Sequence, residues 1–193
     1  MNCEGIITQA LSDKCVDHPH GFEKIGCIIN RGDIDFSAGT VTGNILDQIV
    51  LLNHVLGFRV LQYGTKPFNG TKKSGVSKES APGKMNKTVQ FFVPDHDPAV
   101  DEGFVDAILN GEFVMVLENK DKNPAANNAA FEVFGWHNGL HFTAVEQDTY
   151  GDYGSGWLIT LEETEAPSSS LYLYKTSYAA TKTAFQSLYT AGN

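Results

Sequence analysis

The chain has 193 residues, 14 of them basic and 23 acidic, so its formal net charge at pH 7 is -9. This length suits one domain with its own core, and the acidity disfavours binding of nucleic acid or an anionic membrane over the whole surface. Hydrophobic residues make up 41% and aromatic residues 11%, which excludes a wholly disordered chain, and 19 glycines favour many turns. We expect a single β-rich domain over residues 1–193.

No stretch of about 20 residues is apolar enough to span a membrane, since the most apolar window, Ile49–Leu61, contains Asn53, His54 and Arg59. The first five residues lack the basic start and apolar core of a secretory signal. From the sequence we therefore expect neither membrane insertion nor export by that route.

Four residues of zinc-ligand type occur early in the chain, at Cys15, His18, His20 and Cys27. Tetrahedral zinc accepts two thiolates and two imidazoles, but structural sites normally present close ligand pairs separated by a longer loop. The three cysteines are an odd number within the first 27 residues, which does not fit a disulfide framework. Ordinary reduced thiols are favoured over both.

Runs rich in β-branched and aromatic residues predict three strands in the first half of the chain. Arg31-Gly32-Asp33 lies among isoleucines and is expected to form a turn without an adhesive role. The stretch Thr40–Leu52 fits a helix by its isoleucine spacing and a strand by its β-branched start. The three predicted strands are Ile25–Phe36, Gly57–Tyr63 and Thr88–Val93.

Residues 66–87 are the most unusual stretch, because Gly, Ser, Lys and Pro dominate it. Long connections inside a compact domain are usually functional or disordered. We call this stretch the arm and expect it to extend two strands as a long flexible loop. Its six lysines are Lys66, Lys72, Lys73, Lys78, Lys84 and Lys87.

The arm and the rest of the chain have opposite charge. With Glu79 as its one acidic residue the arm carries +5, which leaves −14 for the remainder, and residues 95–165 hold fifteen carboxylates against two lysines. Complementary surfaces predict head-to-tail binding, the arm of one copy on the acidic body of the next. The alternatives are a solvated loop and, less favoured because no arginine accompanies the lysines, a nucleic-acid contact.

Asp95-His96-Asp97 precedes a helix predicted at Pro98–Leu109, where apolar residues recur every three to four positions and Gly111 follows the end. This acidic cluster has the residue types of a metal or acid–base site. Aspartate at a helix entrance also caps free amides, and capping is favoured here.

Five further strands are predicted, and a hairpin is the clearest local signal among them. Asn138-Gly139 readily takes the positive φ of a tight turn, so Phe131–Trp136 and Leu140–Gln147 are expected to pair. The remaining strands are Glu112–Glu118, Trp157–Glu163 and Leu171–Lys175. A C-terminal helix, Ser177–Leu188, begins at a capping serine and is expected to dock through Phe185 and Leu188.

Together these elements predict a mainly β fold class: an antiparallel β-sandwich or small barrel with one packed α-helix, a long strand-to-strand arm and a C-terminal helix. The chain has no nucleophile elbow, phosphate loop, dinucleotide fingerprint or HExxH helix. We therefore expect neither enzyme activity nor a cofactor.

Three runs carry a family resemblance: Gly111–Lys120, Phe131–Trp136 with Asn138-Gly139-Leu140, and Gly156–Glu162 after an acidic loop. With the helix Pro98–Leu109 before them, this layout over about residues 89–165 resembles tail-tube-like structural proteins of tailed bacteriophages. The resemblance lies in an order of strands and one Phe-Gly…Gly-Leu hairpin, not in a catalytic signature.

The resemblance implies a virion structural protein located in the tail after assembly in the host cytoplasm. Its partners would be copies of itself in hexameric rings, which stack into a tube, and other virion proteins. The arm would reach a neighbouring subunit, and an acidic lumen would repel the DNA backbone, so that DNA passes without specific binding.

Other functions stay open at this point. A tail terminator, connector or head-surface protein would share the same features. A monomeric β-sandwich that binds a glycan or a protein would use an aromatic platform, and a metal-dependent enzyme would use Asp95, His96 and Asp97. The platform residues would be Trp136, Tyr150, Tyr153 and Trp157.

Overall fold

The computed structural model describes residues 19–64, 66–74, 84–94, 97–122, 126–147 and 156–190. Within these ranges the chain forms eleven strands and two longer helices, α1 over residues 98–110 and α2 over Tyr178–Ser187. The strands are β1 (Phe22–Asn30), β2 (Val41–Thr42), β3 (Ile45–Leu46), β4 (Phe58–Leu61), β5 (Asn69–Ser74), β6 (Met85–Val93), β7 (Phe113–Asn119), β8 (Phe131–Phe134), β9 (His141–Gln147), β10 (Trp157–Ala166) and β11 (Tyr172–Leu173).

The strands form two sheets, which confirms the predicted mainly β class. A seven-stranded sheet has the order β2-β3-β11-β8-β7-β1-β4, and a four-stranded sheet has the order β5-β6-β10-β9. Neighbouring strands are antiparallel except β3 and β11, which run parallel. The four-stranded sheet is therefore antiparallel throughout.

The seven-stranded sheet is buried on both faces in its centre, where β7 and β8 have buried residues at almost every position. On one face Val114, Val116 and Phe131 pack with Phe185 and Leu188 of the C-terminal helix. The other face packs against the four-stranded sheet and α1, through Met115 and Leu117 among others. The continuous apolar run Phe113–Leu117 in β7 follows from this position, since water is excluded from both faces of the strand.

Helix α1 matches the predicted Pro98–Leu109 and includes a π-helical turn at Asp101–Val105. Asp97 Oδ1 accepts hydrogen bonds from the amides of Ala99 and Val100 at 2.7 and 3.1 Å. The capping role predicted for Asp97 is confirmed, while Asp95 and His96 lie outside the described residues. Ile108, 1% exposed, attaches the helix to the sheets.

Helix α2 matches the predicted C-terminal helix. The Ser177 side chain accepts a hydrogen bond from the Ala180 amide and caps the first turn. Phe185 packs on Phe131 with 5.1 Å between ring centroids, and Leu188 is also buried, so the predicted docking through Phe185 and Leu188 is confirmed.

The predicted hairpin between Phe131–Trp136 and Leu140–Gln147 is wrong. Strand β8 pairs with β7 and β11, whereas β9 pairs with β10 in the other sheet. The turn from Gly135 to Gly139, both at positive φ, carries the chain from one sheet to the other. Residues that readily take positive φ suit both a hairpin turn and a crossing between sheets, so the turn sequence does not distinguish the two. Strand β8 pairs within the seven-stranded sheet because it is buried on both faces there.

Two other predictions change at the level of local structure. The predicted strand Ile25–Phe36 ends at Asn30, because the turn expected at Arg31–Asp33 forms as a 3₁₀ turn. For Thr40–Leu52 the sequence fitted both a helix and a strand. The segment contains the two short strands β2 and β3 on either side of Gly43, which has positive φ, and no long helix.

The described part of the arm is more regular than a flexible loop. Residues Asn69–Ser74 form β5, which pairs with β6 from Asn69↔Gln90 to Ser74↔Met85. Phe68, at the start of the arm, is 4% exposed and packs between the sheets. The prediction of a flexible loop is therefore wrong over these residues. The buried Phe68 side chain and the backbone hydrogen bonds to β6 hold this part of the arm in a defined structure.

Candidate assembly surfaces

The alternation of β5 and β6 divides the arm lysines between two faces. Lys73 pairs with Asn86 on the outward face, whereas Lys72 pairs with Lys87 on the face that points into the sandwich. Lys66 and Lys73 are exposed, and Lys84 is half-buried. Lys78 lies outside the described residues.

Lys87 is buried in a polar cluster between the sheets. Its ammonium lies 3.5 Å from the Glu163 carboxylate, and both side chains are 1% exposed. Glu163 also accepts hydrogen bonds from the amides of Gly135, His137 and Asn138 at 3.1 to 3.2 Å. One carboxylate thus connects β6 and β10 to the sheet-crossing turn, and accepts hydrogen bonds from three amides of that turn, among them the buried amide of Gly135.

Lys72 has a partner in the same chain as well. Its ammonium forms a salt bridge with Glu132 of β8, which is buried in the seven-stranded sheet, and donates to Ser170 Oγ at 2.8 Å. Lys72 therefore connects the arm to the second sheet. Two of the six arm lysines bind carboxylates of their own subunit, and Lys66, Lys73 and Lys84 are the described lysines for which contacts with another subunit stay a prediction.

A third buried carboxylate holds the C-terminal helix. Glu118 accepts a hydrogen bond from Tyr178 Oη at 2.6 Å, and the ammonium groups of Lys122 and Lys182 lie 3.1 and 3.7 Å from it. Its side chain is 8% exposed. The hydrogen bond to Tyr178 and the carboxylate charge raise the pKa of Lys182. The cluster attaches α2 to β7.

These buried pairs change how the acidity of the chain is distributed. Of the fifteen carboxylates in residues 95–165, Glu118, Glu132 and Glu163 are buried and paired with lysine. The charge that a partner encounters is accordingly smaller than the sequence count. The sequence carried a signal for the contact between Lys87 and Glu163, which our sequence analysis did not predict. Every second residue of a strand lies on the same face, so Lys87 shares the buried face of Val89 and Phe91, and Glu163 shares that of Ile159 and Leu161.

The outward face of the four-stranded sheet is polar and has little charge. Thr71 and Thr88 hydroxyls lie 2.7 Å apart, and Gln90 Nε2 donates to Thr160 Oγ1 at 3.1 Å, so the side chains satisfy one another. On the described part of this face the charged residues are Lys73 near the arm, Glu146 and Glu162, with His141 beside Glu162. Lys66 lies at the margin of the face, next to Asn69 and Gln90. We call this surface the polar face.

The two edges of the same sheet are open in the described chain. Strand β5 forms one edge and β9 the other. Direction reverses at each of the three steps from β5 to β9, so the two edge strands run antiparallel to each other. The β5 edge carries Lys72 and Lys73, whereas β9 carries Glu146 and no lysine. The edges are complementary in direction and in charge.

His137 and Arg31 lie beside the sheet-crossing turn. Arg31 donates from Nη2 to the His137 carbonyl at 2.9 Å, and its guanidinium lies 4.7 Å from the Phe36 ring centroid. Burial lowers the pKa of His137, and the positive charges of Lys87, Arg31 and Lys84 lower it further. The negative charge of Glu163 acts in the opposite direction and raises it. We therefore expect the turn to respond to pH through His137.

The predicted zinc-type residues do not form a described site. Cys15 and His18 lie outside the described residues, and His20 is exposed. Cys27 is fully buried in the apolar core, where burial raises the pKa of its thiol to about 12. In the ranges that the structure describes, no group of three His, Cys, Asp or Glu side chains is arranged to hold a metal ion.

The predicted aromatic platform is not an exposed surface at its described positions. Trp136 is 6% exposed and packs on Phe36 with 4.8 Å between centroids. Trp157 donates from Nε1 to Asp101 Oδ1 at 2.7 Å and packs against the opposite core. The two indoles belong to different cores, so the platform is corrected to interior packing; Tyr150 and Tyr153 lie outside the described residues.

Among the described helices none is long and apolar enough to cross a membrane. In comparisons with known proteins, no family model matches the chain, and no curated protein or solved structure matches it. Functional inference therefore depends on the surfaces described above and on the layout of residues 89–165.

Proposed function

We propose that the chain is a non-enzymatic virion structural protein, a tail tube subunit of a tailed phage that forms stacked homo-oligomeric rings. The observation that carries the proposal is the four-stranded sheet, which combines two complementary open edges with one polar face. A head-to-tail contact repeated around an axis closes into a ring when its rotation closes.

The lateral contact follows from strand direction. Because β5 and β9 run antiparallel, β9 of one subunit beside β5 of the next continues the same antiparallel sheet without reversing its face. In a register that sets Glu146 opposite Lys73 of the neighbour, both on the outward face, the two charges select the β9–β5 pairing over β5–β5 or β9–β9. Pairing also removes edges that would otherwise invite aggregation.

Closure of such a ring brings the polar faces of all subunits to one side of a continuous sheet. We assign that side to the lumen. Its threonine and glutamine side chains bond to each other, and Glu146 and Glu162 repel phosphate, so DNA has few cations to bind. The proposed lumen is polar and weakly acidic, less acidic than the sequence count implied.

Electron microscopy in negative stain and sedimentation velocity of the purified chain test the proposal. We expect rings or short tubes that grow with concentration. Glu146→Lys should reduce ring formation because the new lysine would face Lys73 of the neighbour. Glu23→Lys, the same charge change on β1 of the other sheet, is the control; it removes only a partly exposed salt bridge with Lys122 and should assemble normally.

A chain that stays monomeric at high concentration would contradict the proposal. Rings that never stack would favour a terminator or connector in the same virion, because those parts end a tube instead of continuing it. No observation on the described surface favours a glycan-binding module, since Trp136 is buried and Trp157 is hydrogen-bonded inside the fold.

A further inference from the structure

A segment on the edge of the seven-stranded sheet exposes an unusual amount of apolar surface. Of the nine large hydrophobic side chains that are exposed in the described chain, five lie between positions 50 and 58. Their exposed fractions run from 36% to 52%. They are Val50, Leu52, Val55, Leu56 and Phe58, and we call residues 50–58 the apolar segment.

The apolar segment has a defined shape. The Gly57 amide donates to the Leu188 carbonyl at 2.7 Å, and the Val55 amide donates to the Leu52 carbonyl at 3.1 Å. A Cβ at position 57 would lie 2.8 Å from Cys27 Sγ and from an Ile29 side-chain carbon, so the backbone packs directly on the core. A surface held in this way is presented without a large ordering cost on binding.

The segment and the end of α2 enclose an open groove of about 520 Å³. Val55, Leu56 and Leu188 contribute its apolar wall. Apolar patches bounded by polar residues are typical of protein contact sites, and a few well-packed side chains supply most of the binding energy.

Charge indicates what kind of surface the groove fits. From Gln48 to Tyr63 the sequence contains no acidic residue, while Arg59 follows the segment directly and is exposed. Arg59 has no ion-pair partner among the described residues. The complementary surface is therefore apolar with carboxylates beside it.

The chain itself presents such a surface on the outer side of α1. Glu102, Asp106 and Leu109 follow one another at spacings of four and three residues, which places them on one face of the helix. Glu102 and Asp106 are exposed, and Leu109 is 37% exposed. This face has the composition that the groove and Arg59 require.

We propose that the apolar segment of one subunit binds the outer face of α1 of a second copy, with Leu109 in the groove and Asp106 and Glu102 beside Arg59. The inference rests on the proposed function in taking the occupant to be a second copy. The contact joins two different patches and is therefore heterologous, as a ring or a stack requires.

Cysteine cross-linking tests which surfaces meet. In a Cys3→Ser/Cys15→Ser background, Leu56→Cys chains are mixed with Leu109→Cys chains and oxidised, and disulfide-linked heterodimers are quantified by mass spectrometry. Val41→Cys, whose parent residue is equally exposed on a distant strand, replaces Leu56→Cys in the control mixture. We expect at least tenfold more heterodimer than in the control. Equal yields, or Leu56→Cys chains that link mainly to each other, would overturn the proposal.

Charge exchange tests the same contact without cysteines. Arg59→Glu should weaken self-association at least tenfold in analytical ultracentrifugation, and Arg59→Glu/Asp106→Lys should recover most of the loss. Arg59→Glu/Glu23→Lys has the same net charge and should not recover it. Failure of the Asp106 exchange to restore association, or no effect of Arg59→Glu, would overturn the contact.

The two proposals fail in different ways. Wild-type rings with no Leu56→Cys/Leu109→Cys cross-link would remove this contact and leave the tube function standing. Specific cross-linked dimers from a chain that never forms rings would support the contact and remove the tube function.

Discussion

Three carboxylates organise the interior of this protein residue by residue. Glu163, Glu132 and Glu118 each bind a lysine while lying at 8% exposure or less. A buried ion pair adds little net stability over an apolar pair, but removing one partner leaves an uncompensated charge. Single substitutions at these residues should therefore destabilise the fold strongly.

Replacing Lys87 by methionine should destabilise the fold by about 3 kcal/mol, since Glu163 keeps its three amide donors but loses its cation. For a domain of this size the melting temperature should fall by roughly 6–12 °C. Lys73→Met, on the exposed face of the same hairpin, is the matched control and should change stability by less than about 0.5 kcal/mol. Equal effects of the two variants in urea unfolding would contradict a buried pair.

His137 should make the fold less stable in mild acid. Burial lowers the pKa of His137 in the folded chain below the 6.5 of an unfolded one, so the unfolded chain binds the proton first. The stability is complete above pH 6.5 and is lost as the pH falls through the folded pKa. Between pH 7.5 and 5.5 the wild type should lose more unfolding free energy than His137→Gln. Parallel pH profiles from urea titrations would show that His137 does not titrate differently in the two states.

At the scale of elements, local patterns identified most of the secondary structure but not its partners. The helices at 98–110 and Tyr178–Ser187 were predictable because capping residues and apolar spacing are read within one turn. The hairpin at Asn138-Gly139 was wrong because the turn is shared by strands of two different sheets. The sequence predicts a loop for the arm because β5 is rich in glycine and lysine. This strand is ordered by its pairing with β6, which its own residues do not indicate.

Shortening the connection between β5 and β6 tests whether the arm has a role in assembly apart from its role in the fold. Replacing residues 75–84 by Asn-Gly connects Ser74 to Met85, a cross-strand pair, by a two-residue turn. Lys72 and Lys87 keep their partners, so the melting temperature should change by only a few degrees. Stacking of rings in electron micrographs should be lost if residues 75–84 reach the next ring. Tubes of normal length from this variant would exclude that role.

At the scale of the whole molecule, a net charge of −9 conceals an arrangement in which arm and body partly neutralise each other. Lys72 and Lys87 bind Glu132 and Glu163 inside one subunit. The polar face is left with few charges, and the apolar segment lies on the other sheet near the end of α2. We propose that these separate surfaces serve for lateral contacts, for subunit docking and for passage of DNA.

Adding cations to the polar face should convert it into a DNA-binding surface. Gln90→Lys/Thr160→Lys places two ammonium groups on neighbouring strands, where Gln90 and Thr160 pair. The wild type should not retard duplex DNA in a gel at 50 mM salt, while the double variant should retard it and release it as salt rises. Val41→Lys/Thr42→Lys, on an exposed strand of the other sheet, controls for added charge. Equal retardation by both double variants would argue against a special role of the polar face.

The sequence by itself determined the mainly β class, both helices with their caps, and the contrast between a basic arm and an acidic body, because these depend on composition and on contacts within a few residues. Only the tertiary structure decided which strands pair, that Lys87 and Glu163 are buried together, and that Trp136 is interior while residues 50–58 are exposed. The physical reason is separation along the chain. Lys87 and Glu163 are more than seventy residues apart and meet only because β6 pairs with β10, and no local pattern encodes that pairing.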